Sequence, residues 1–311
     1  MIVTLTPNPS LDHTIEISTL IRGSILPAVR SWYDPAGKGI NVSRALAGNG
    51  FATQAVFPSG GAEGAHLRAL LNGTGVDVSV VEIAGAIRSN VDLIEPDGTV
   101  TALREAGPSL SSAELSSLES LLIEKSKRAR WTVLSGSLPP DVPVDFYAML
   151  TERVRATGAR VAVDASDGAL AAAIEAGPDL IKPNQFELAA ASGIAVETFG
   201  DAVAAGHERQ RRGARAIIAS LGSTGALYFG EGTVLFAPAP PIQAKSAVGA
   251  GDSMLAGFLA IDDAPEVAFA RAATWGTAAA SLPGSLLPTT ADLEGMVIEL
   301  AEVPAANVPI P

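Results

Sequence analysis

Val248-Gly249-Ala250-Gly251-Asp252-Ser253 is the stretch of this chain best equipped for chemistry. Two glycines let backbone approach a ligand closely. Apolar residues follow at Met254, Leu255, Ala256 and Phe258, so the spacing predicts a helix starting near Asp252. The N–H groups at such a start form an anion site. An Asp there can also accept a proton from an alcohol beside a bound phosphate. A tight turn with Asp252 as an ordinary N-cap explains the same residues. This stretch alone weighs the two readings equally.

Three further loops carry ligand-binding chemistry. Ala36-Gly37-Lys38-Gly39-Ile40-Asn41 sets a cation between glycines and adds an amide that donates and accepts. It is not a P-loop, because Trp32 stands where that motif requires the first glycine. Lys182-Pro183-Asn184-Gln185-Phe186-Glu187 follows the strand-like Leu180-Ile181, where open α/β sheets place ligands. Asn184 and Glu187, three apart at a helix start, share a face and suit Mg²⁺ held through water. An ordinary helix-opening turn explains Asn184 and Glu187 better when they are taken alone. Ser220-Leu221-Gly222-Ser223-Thr224-Gly225-Ala226 can wrap phosphates with backbone N–H groups, or be a plain hairpin loop. Ser135-Gly136-Ser137-Leu138-Pro139 and Asp164-Ala165-Ser166 also follow strand-like runs and belong at the same sheet edge. Arg88 and Arg104 bracket a hairpin and are shaped to clamp a phosphate. Each taken singly reads as a solvated surface Arg.

These loops need elements to hold them. From Ser111 onward helix-like segments (Ala113–Arg128, Val144–Thr157, Gly168–Ala176, Asp201–Arg212) alternate with short apolar runs (Trp131–Leu134, Arg160–Val163, Asp179–Ile181, Ala216–Ser220). That alternation predicts a mostly parallel sheet covered on both faces. Ile2–Leu5 reads as a first strand, and Ala62–Leu71 as a helix. Arg88–Glu95 and Thr99–Leu103 flank Pro96-Asp97-Gly98, a hairpin signal. Residues 11–35 and 87–104 interrupt the alternation and are expected to form a small β lid. Residues 1–10, 36–86 and 105–311 would then form the main domain. The segment Val303–Pro311 holds three Pro and no helical period, so an irregular end is expected.

Composition removes whole classes of function. The chain has 311 residues, 48% hydrophobic and 17% charged, enough for a sizeable core. A net charge of −12 argues against nucleic-acid binding. With no Cys, disulfides, thiolate metal sites and Cys nucleophiles are excluded. His13, His66 and His207 lie too far apart in sequence for a helix-face metal pair. No apolar run reaches membrane-spanning length, and the opening MIVTLTPNPS does not read as a signal peptide. A cytoplasmic enzyme without membrane contact is the expectation. A nicotinamide oxidoreductase is disfavoured, because Thr6-Pro7-Asn8-Pro9 follows the first strand instead of a Gly-x-Gly-x-x-Gly turn.

Taken together, Ala36–Asn41, Lys182–Asn184 with Glu187, and Gly249–Asp252 resemble the PfkB (ribokinase-like) carbohydrate kinases, in order and separation, over nearly the whole chain. The opening Thr4–Asp12, with Ser135–Pro139 and Asp164–Ser166, resembles the hexose-phosphate branch of that family. The resemblance implies a ribokinase-like three-layer α/β sandwich with a small β lid, often used for homodimerisation. It implies transfer from ATP, with Mg²⁺, to a hexose-phosphate hydroxyl, fructose 1-phosphate first. Tagatose 6-phosphate and fructose 6-phosphate are the alternatives, and a non-catalytic sugar-phosphate sensor a more distant one. By matching position, Asp252 is the catalytic base and Gly249, Ala250 and Gly251 the anion hole. Asp12, Gly37, Lys38 and Asn41 hold the sugar, with Arg88 and Ser137 near its phosphate. Lys182, Asn184, Ser220, Gly222, Thr224 and Gly225 border the nucleotide, and Glu187 with Asn184 faces the metal. Arg104 departs from the pattern. The branch's fructose-1-phosphate kinases usually carry Asn there, so an added cation bears on phosphate recognition.

Overall fold

The computed structural model describes all 311 residues. The buried apolar run β1 (Ile2–Leu5) leads into β2 (Ser10–Glu16) and β3 (Arg30–Ala36), which pair antiparallel. Then come α1 (Lys38–Gly48), β4 (Thr53–Ser59), α2 (Gly61–Leu71) and β5 (Asp77–Glu82). β6 (Arg88–Ile94) and β7 (Val100–Leu103) form the expected hairpin across Pro96-Asp97-Gly98. The expected alternation follows as α3 (Ser112–Ser126), β8 (Trp131–Ser135), α4 (Phe146–Arg155), β9 (Arg160–Asp164), α5 (Asp167–Glu175) and β10 (Leu180–Ile181). It continues through α6 (Gln185–Ser192), α7 (Phe199–Arg211) and β11 (Ile217–Ser220). An antiparallel hairpin, β12 (Gly225–Gly230) and β13 (Thr233–Pro238), precedes α8 (Ala250–Ala260), α9 (Pro265–Ala280) and the single turn α10 (Thr290–Leu293).

Two sheets result. The nine-stranded sheet runs β13-β12-β11-β10-β9-β8-β1-β4-β5, parallel from β11 to β5. Its inner strands are buried on both faces, so they read as unbroken apolar runs such as Val161–Val163 and Ile217–Ala219. One face packs against Leu118, Leu122, Tyr147, Leu150, Phe199 and their neighbours. The other packs against α1, α8 and α9 through Val42, Leu46, Leu255, Leu259, Phe269 and Trp275. The four-stranded sheet, β3-β2-β6-β7, stands apart from it. All four of its strands come from the segments that broke the alternation.

Two expectations need adjusting. α8 begins at Ala250, two residues before the predicted start at Asp252, because Gly249 lies in the left-handed region (φ 75°) and turns the chain into the helix early. The Pro-rich end is irregular, as expected, but it is not loose. Ile310 is buried, its N–H donates to Glu197 O, and Phe199 N–H donates to Val308 O.

The topology fixes where chemistry can occur. In a parallel sheet the loops after the strands gather at the carboxyl edge. Asp164 and Ser135 end β9 and β8, Lys182 follows β10, and Ser220 ends β11. Beside this edge α1 and α8 begin, bringing Lys38, Asn41 and Asp252.

Candidate active site

Asp252 is the third residue of α8, not its N-cap, and is 7% exposed. Its Oδ2 accepts a hydrogen bond from Asn41 Nδ2 at 2.8 Å. Burial raises its pKa to about 6, and the nearby Asp164 carboxylate adds to the rise; Lys38, Asn41 and Lys182 pull the other way. A carboxylate poised near neutrality is suited to accepting a proton. Just before it, Gly251 faces Lys182. A Cβ added to Gly251 would stand 2.9 Å from Lys182 Nζ, so a larger residue here would push the ammonium aside.

Lys182 is itself almost wholly buried, and Asp164 accounts for that. The Asp164 carboxylate, 0% exposed, stands 2.7 Å from Lys38 Nζ through Oδ1 and 3.2 Å from Lys182 Nζ through Oδ2. Burial works to raise its pKa, but Lys182 and Lys38 prevail and hold it below the ordinary carboxylate range. Lys38 is the mirror case. Burial works to lower its pKa, while Asp164 and Glu187 keep it above the ordinary lysine value. Lys38 also lies 3.5 Å from Glu187 Oε1. The sequence reading placed Asp164 in a loop at this sheet edge, after the apolar run Val161–Val163, but did not foresee that it pairs with both lysines.

Asn184 and Glu187 form a capping box. Asn184 Oδ1 accepts from Glu187 N–H, and Glu187 Oε2 accepts from Asn184 N–H, both at 2.8 Å. The helix-opening reading is therefore realised, and Glu187 Oε1 is left facing Lys38. No cluster of three or more metal-ligating side chains exists. The carboxylate oxygen outside the cap, Glu187 Oε1, pairs with Lys38 at 3.5 Å and is of the type that suits a Mg²⁺ ion held chiefly through water. The same loop is bound to the next one. Asn184 bridges Ser220, and Ser220 N–H donates to Pro183 O at 3.0 Å. Gly222–Thr224 form a 3₁₀ turn and Gly225 opens β12, so the glycine-rich loop does join β11 and β12 as a hairpin.

A second polar group lies between the two sheets. Asp12 Oδ1 accepts from Ser10 Oγ at 2.7 Å and from Asn90 Nδ2 at 2.8 Å. Burial raises the Asp12 pKa despite those bonds and despite Arg104. Arg88 donates to Asn8 O at 3.0 Å and to Glu105 O at 3.3 Å, and burial lowers its pKa. Its buried Nε has no partner. Asn8 in turn donates to Ser137 Oγ at 3.3 Å, which brings Ser137 to the same place. Arg104 is more exposed and pairs with Asp92 at 2.7 Å. Gly37 caps α1 at its N-terminus, between this group and Asp252. The candidate residues thus gather into two polar clusters and one loop pair, all along the carboxyl edge.

The sequence profile of the pfkB family carbohydrate kinases matches residues 7–283. The chain belongs to this family. It is 36% identical over 264 residues to the 1-phosphofructokinase of Bacillus subtilis, covering 84% of this chain and 85% of that one. It is 35% identical over 283 residues to the ATP-dependent 6-phosphofructokinase isozyme 2 of Escherichia coli, covering 90% and 91%. The crystal structure of Escherichia coli phosphofructokinase-2 in complex with substrates and products superposes with a TM-score of 0.90 at 34% identity, covering 95% of this chain and 97% of that one. Arabidopsis thaliana ribokinase, complexed with ribose and ATP, shares the fold at a TM-score of 0.76 and 21% identity, covering 94% and 96%. The chain therefore combines a ribokinase-like α/β fold with membership of a carbohydrate-kinase family.

Proposed function

We propose that this pfkB kinase transfers the γ-phosphoryl group of ATP to D-fructose 1-phosphate, giving fructose 1,6-bisphosphate and ADP, with Asp252 as general base. The observation that carries this reading is a buried carboxylate on the first turn of α8, bonded to Asn41 and standing next to the Gly249–Gly251 bend and the Lys182 ammonium, with burial pushing its pKa up to about 6. Asp252 accepts the proton of the 6-hydroxyl. That oxygen bonds to the γ-phosphorus as the bond to the β-phosphate's bridging oxygen breaks and ADP leaves. Little covalent chemistry falls to the protein, so alignment and charge stabilisation dominate. The N–H groups of Gly249, Ala250 and Gly251 and the Lys182 ammonium receive the transferring charge. Mg²⁺ supplies charge neutralisation of the triphosphate when bound, and Glu187, with Asn184, would hold it through water.

Asp12, Gly37, Lys38 and Asn41 hold the sugar, with Arg88 and Ser137 at its phosphate. The nucleotide lies along Lys182–Glu187 and Ser220–Gly225. The small sheet acts as a lid, residues 11–35 and 87–104, whose closure excludes water as a competing acceptor. The same sheet carries a homodimer contact. Its β2–β3 connection exposes Leu20, Ile21, Ile25 and Val29, an apolar patch of the kind that marks association. No helix is long and apolar enough to cross a membrane, and the reading is of a cytoplasmic enzyme.

A second substrate has a specific observation behind it. Arg104 stands beside Arg88 and Asp12, where the fructose-1-phosphate kinases usually carry Asn, and a further cation there suits the phosphate of fructose 6-phosphate. A coupled ADP-release assay over fructose 1-phosphate, fructose 6-phosphate and tagatose 6-phosphate tests both readings, with ³¹P NMR fixing the product. Fastest turnover of fructose 1-phosphate at its 6-hydroxyl supports the first. Preferential phosphorylation of fructose 6-phosphate moves the assignment to the second. Binding of sugar phosphates without any turnover would leave only a sensor.

A further inference from the structure

Arg44 lies one helical turn beyond Asn41 on α1 and is assigned to nothing above. Its side chain is directed at two carbonyl groups: NH1 donates to Pro35 O at 2.9 Å and approaches Asn41 Oδ1 at 3.5 Å. Two carboxylates of the small sheet, Asp34 and Asp12, face it and favour its charge, against a burial that lowers its pKa. Asp34 is itself fixed by Trp32 Nε1 at 3.0 Å and Ser285 Oγ at 2.8 Å.

The chemistry of the two side chains makes this contact directional. A guanidinium has donors and no acceptor, whereas an amide has one end of each kind. A cation placed at one end of the Asn41 amide therefore decides which end faces the other way. We infer that Arg44 is a positioning residue for phosphoryl transfer: by holding Asn41 Oδ1 it turns the NH₂ end of that amide onto the Asp252 carboxylate. The inference rests on Asp252 being the base.

Without Arg44 the amide can reverse. Its oxygen then faces Asp252 and accepts from the protonated carboxyl, so the protonated base gains a partner and the ionised base loses one. The apparent pKa of Asp252 rises. The other groups that face Asp252 remain as they are: Lys38 from α1, Asp164 from β9 and Lys182 from the turn after β10.

The test is the pH dependence of kcat/KM for Arg44→Met, with Arg44→Gln as a second variant should Met leave the chain unfolded. The acid limb is expected to move upward by about 0.7 pH unit, one hydrogen bond's worth, which reads as about a five-fold loss below the limb. Arg44→Lys, which keeps a donor, should return the limb toward the parent. In an Asn41→Ala background the Arg44 substitution should move the limb no further. An unmoved limb, or an equal rate loss with and without Asn41, would make Arg44 a packing residue and overturn the assignment. Asp252→Asn measured beside these variants separates the causes. Low turnover there with an unmoved limb overturns Arg44 alone; near-parent turnover there removes both readings.

Discussion

Lys182 Nζ stands 3.2 Å from Asp164 Oδ2, with the two side chains 5% and 0% exposed. The contact is at ion-pair distance, and, against burial, the Lys182 charge is the largest influence holding the Asp164 carboxyl below its ordinary range. The ammonium is thereby anchored beside Gly251. Asp164 does the same for Lys38, so one buried carboxylate keeps two cations in place.

Replacing Asp164 by Asn should therefore damage both fold and function. Two ammonium groups would be left without their shared counter-charge, and breaking a buried pair costs about 3–5 kcal/mol. The sign with pH follows from the lowered Asp164 pKa. Its contribution is complete above the ordinary Asp value and is lost as pH falls through the lower folded value. Urea unfolding of parent and variant should show a gap of that size at pH 7 that narrows toward pH 3. A gap independent of pH would mean that packing, not charge, is what Asp164 supplies.

Asp252→Asn should give an enzyme that is slower and more stable. Loss of a general base lowers kcat by roughly 10²–10⁴. In the parent, kcat/KM should rise with pH through about 6 and then level off, because the base acts ionised. Stability runs the opposite way. A pKa raised from 3.8 to about 6 means that the fold favours the protonated form, so Asp252 stabilises most below 3.8 and that benefit is lost by pH 7. Asn avoids burying the charge, so the variant should gain on the order of 1–3 kcal/mol at pH 7.5. Near-parent turnover would remove Asp252 from the base role.

How far the sequence carries can be judged at particular places. The strands β8, β9 and β11 were legible because both-face burial leaves a pure apolar run between helix signals. The β6–β7 hairpin was legible from Pro96-Asp97-Gly98. α9 was not, because Pro265–Ala280 is Ala-rich and buried on most sides, with no polar stripe to mark a period. β5 was missed because Asp77–Glu82 is a part-exposed edge strand with weak alternation. The separate loops of the site could be read locally. Their joining through Asp164 could not, because Lys38 lies 126 residues from that carboxylate and only the sheet order brings them together. Arg44 escaped for a related reason. Its sequence is that of an ordinary helix, and only the orientation of Asn41 gives it a use.

Arg88 should act on binding rather than on chemistry. Its guanidinium is fixed by Asn8 O and Glu105 O, with Ser137 beside Asn8. Arg88→Ala is expected to raise KM for the sugar phosphate about 10–100-fold, the loss of a charge-assisted contact, with kcat little changed. KM for ATP should hardly move. Equal increases in both KM values would place Arg88 outside the sugar-phosphate pocket.

Glu187→Gln can separate the cap from the metal. Gln serves at the third position of a capping box as Glu does, so α6 should keep its N-terminus and the thermal midpoint should stay within a few degrees. The negative charge facing Lys38 is lost, and with it the carboxylate oxygen proposed above to face Mg²⁺ through water. Half-saturation by Mg²⁺ at fixed ATP should rise by about ten-fold, the scale of losing one charged contact. An unchanged Mg²⁺ curve would confine Glu187 to capping.

Arg104 offers a direct test between the two proposed substrates. It is tethered to Asp92 at 2.7 Å, yet its side chain remains 44% exposed, so it can leave that partner for a ligand phosphate at small cost. Arg104→Asn removes the cation and leaves a neutral amide in its place. If the Arg104 cation serves the phosphate of fructose 6-phosphate, kcat/KM for that sugar should fall about 10-fold or more while fructose 1-phosphate is little affected, as expected for one charged hydrogen bond. If both substrates fall together, Arg104 serves a position common to them and does not discriminate. Measuring the two ratios on one preparation decides this without reference to absolute rates, and a loss confined to fructose 1-phosphate would show that the extra cation has been recruited to the 1-phosphate instead.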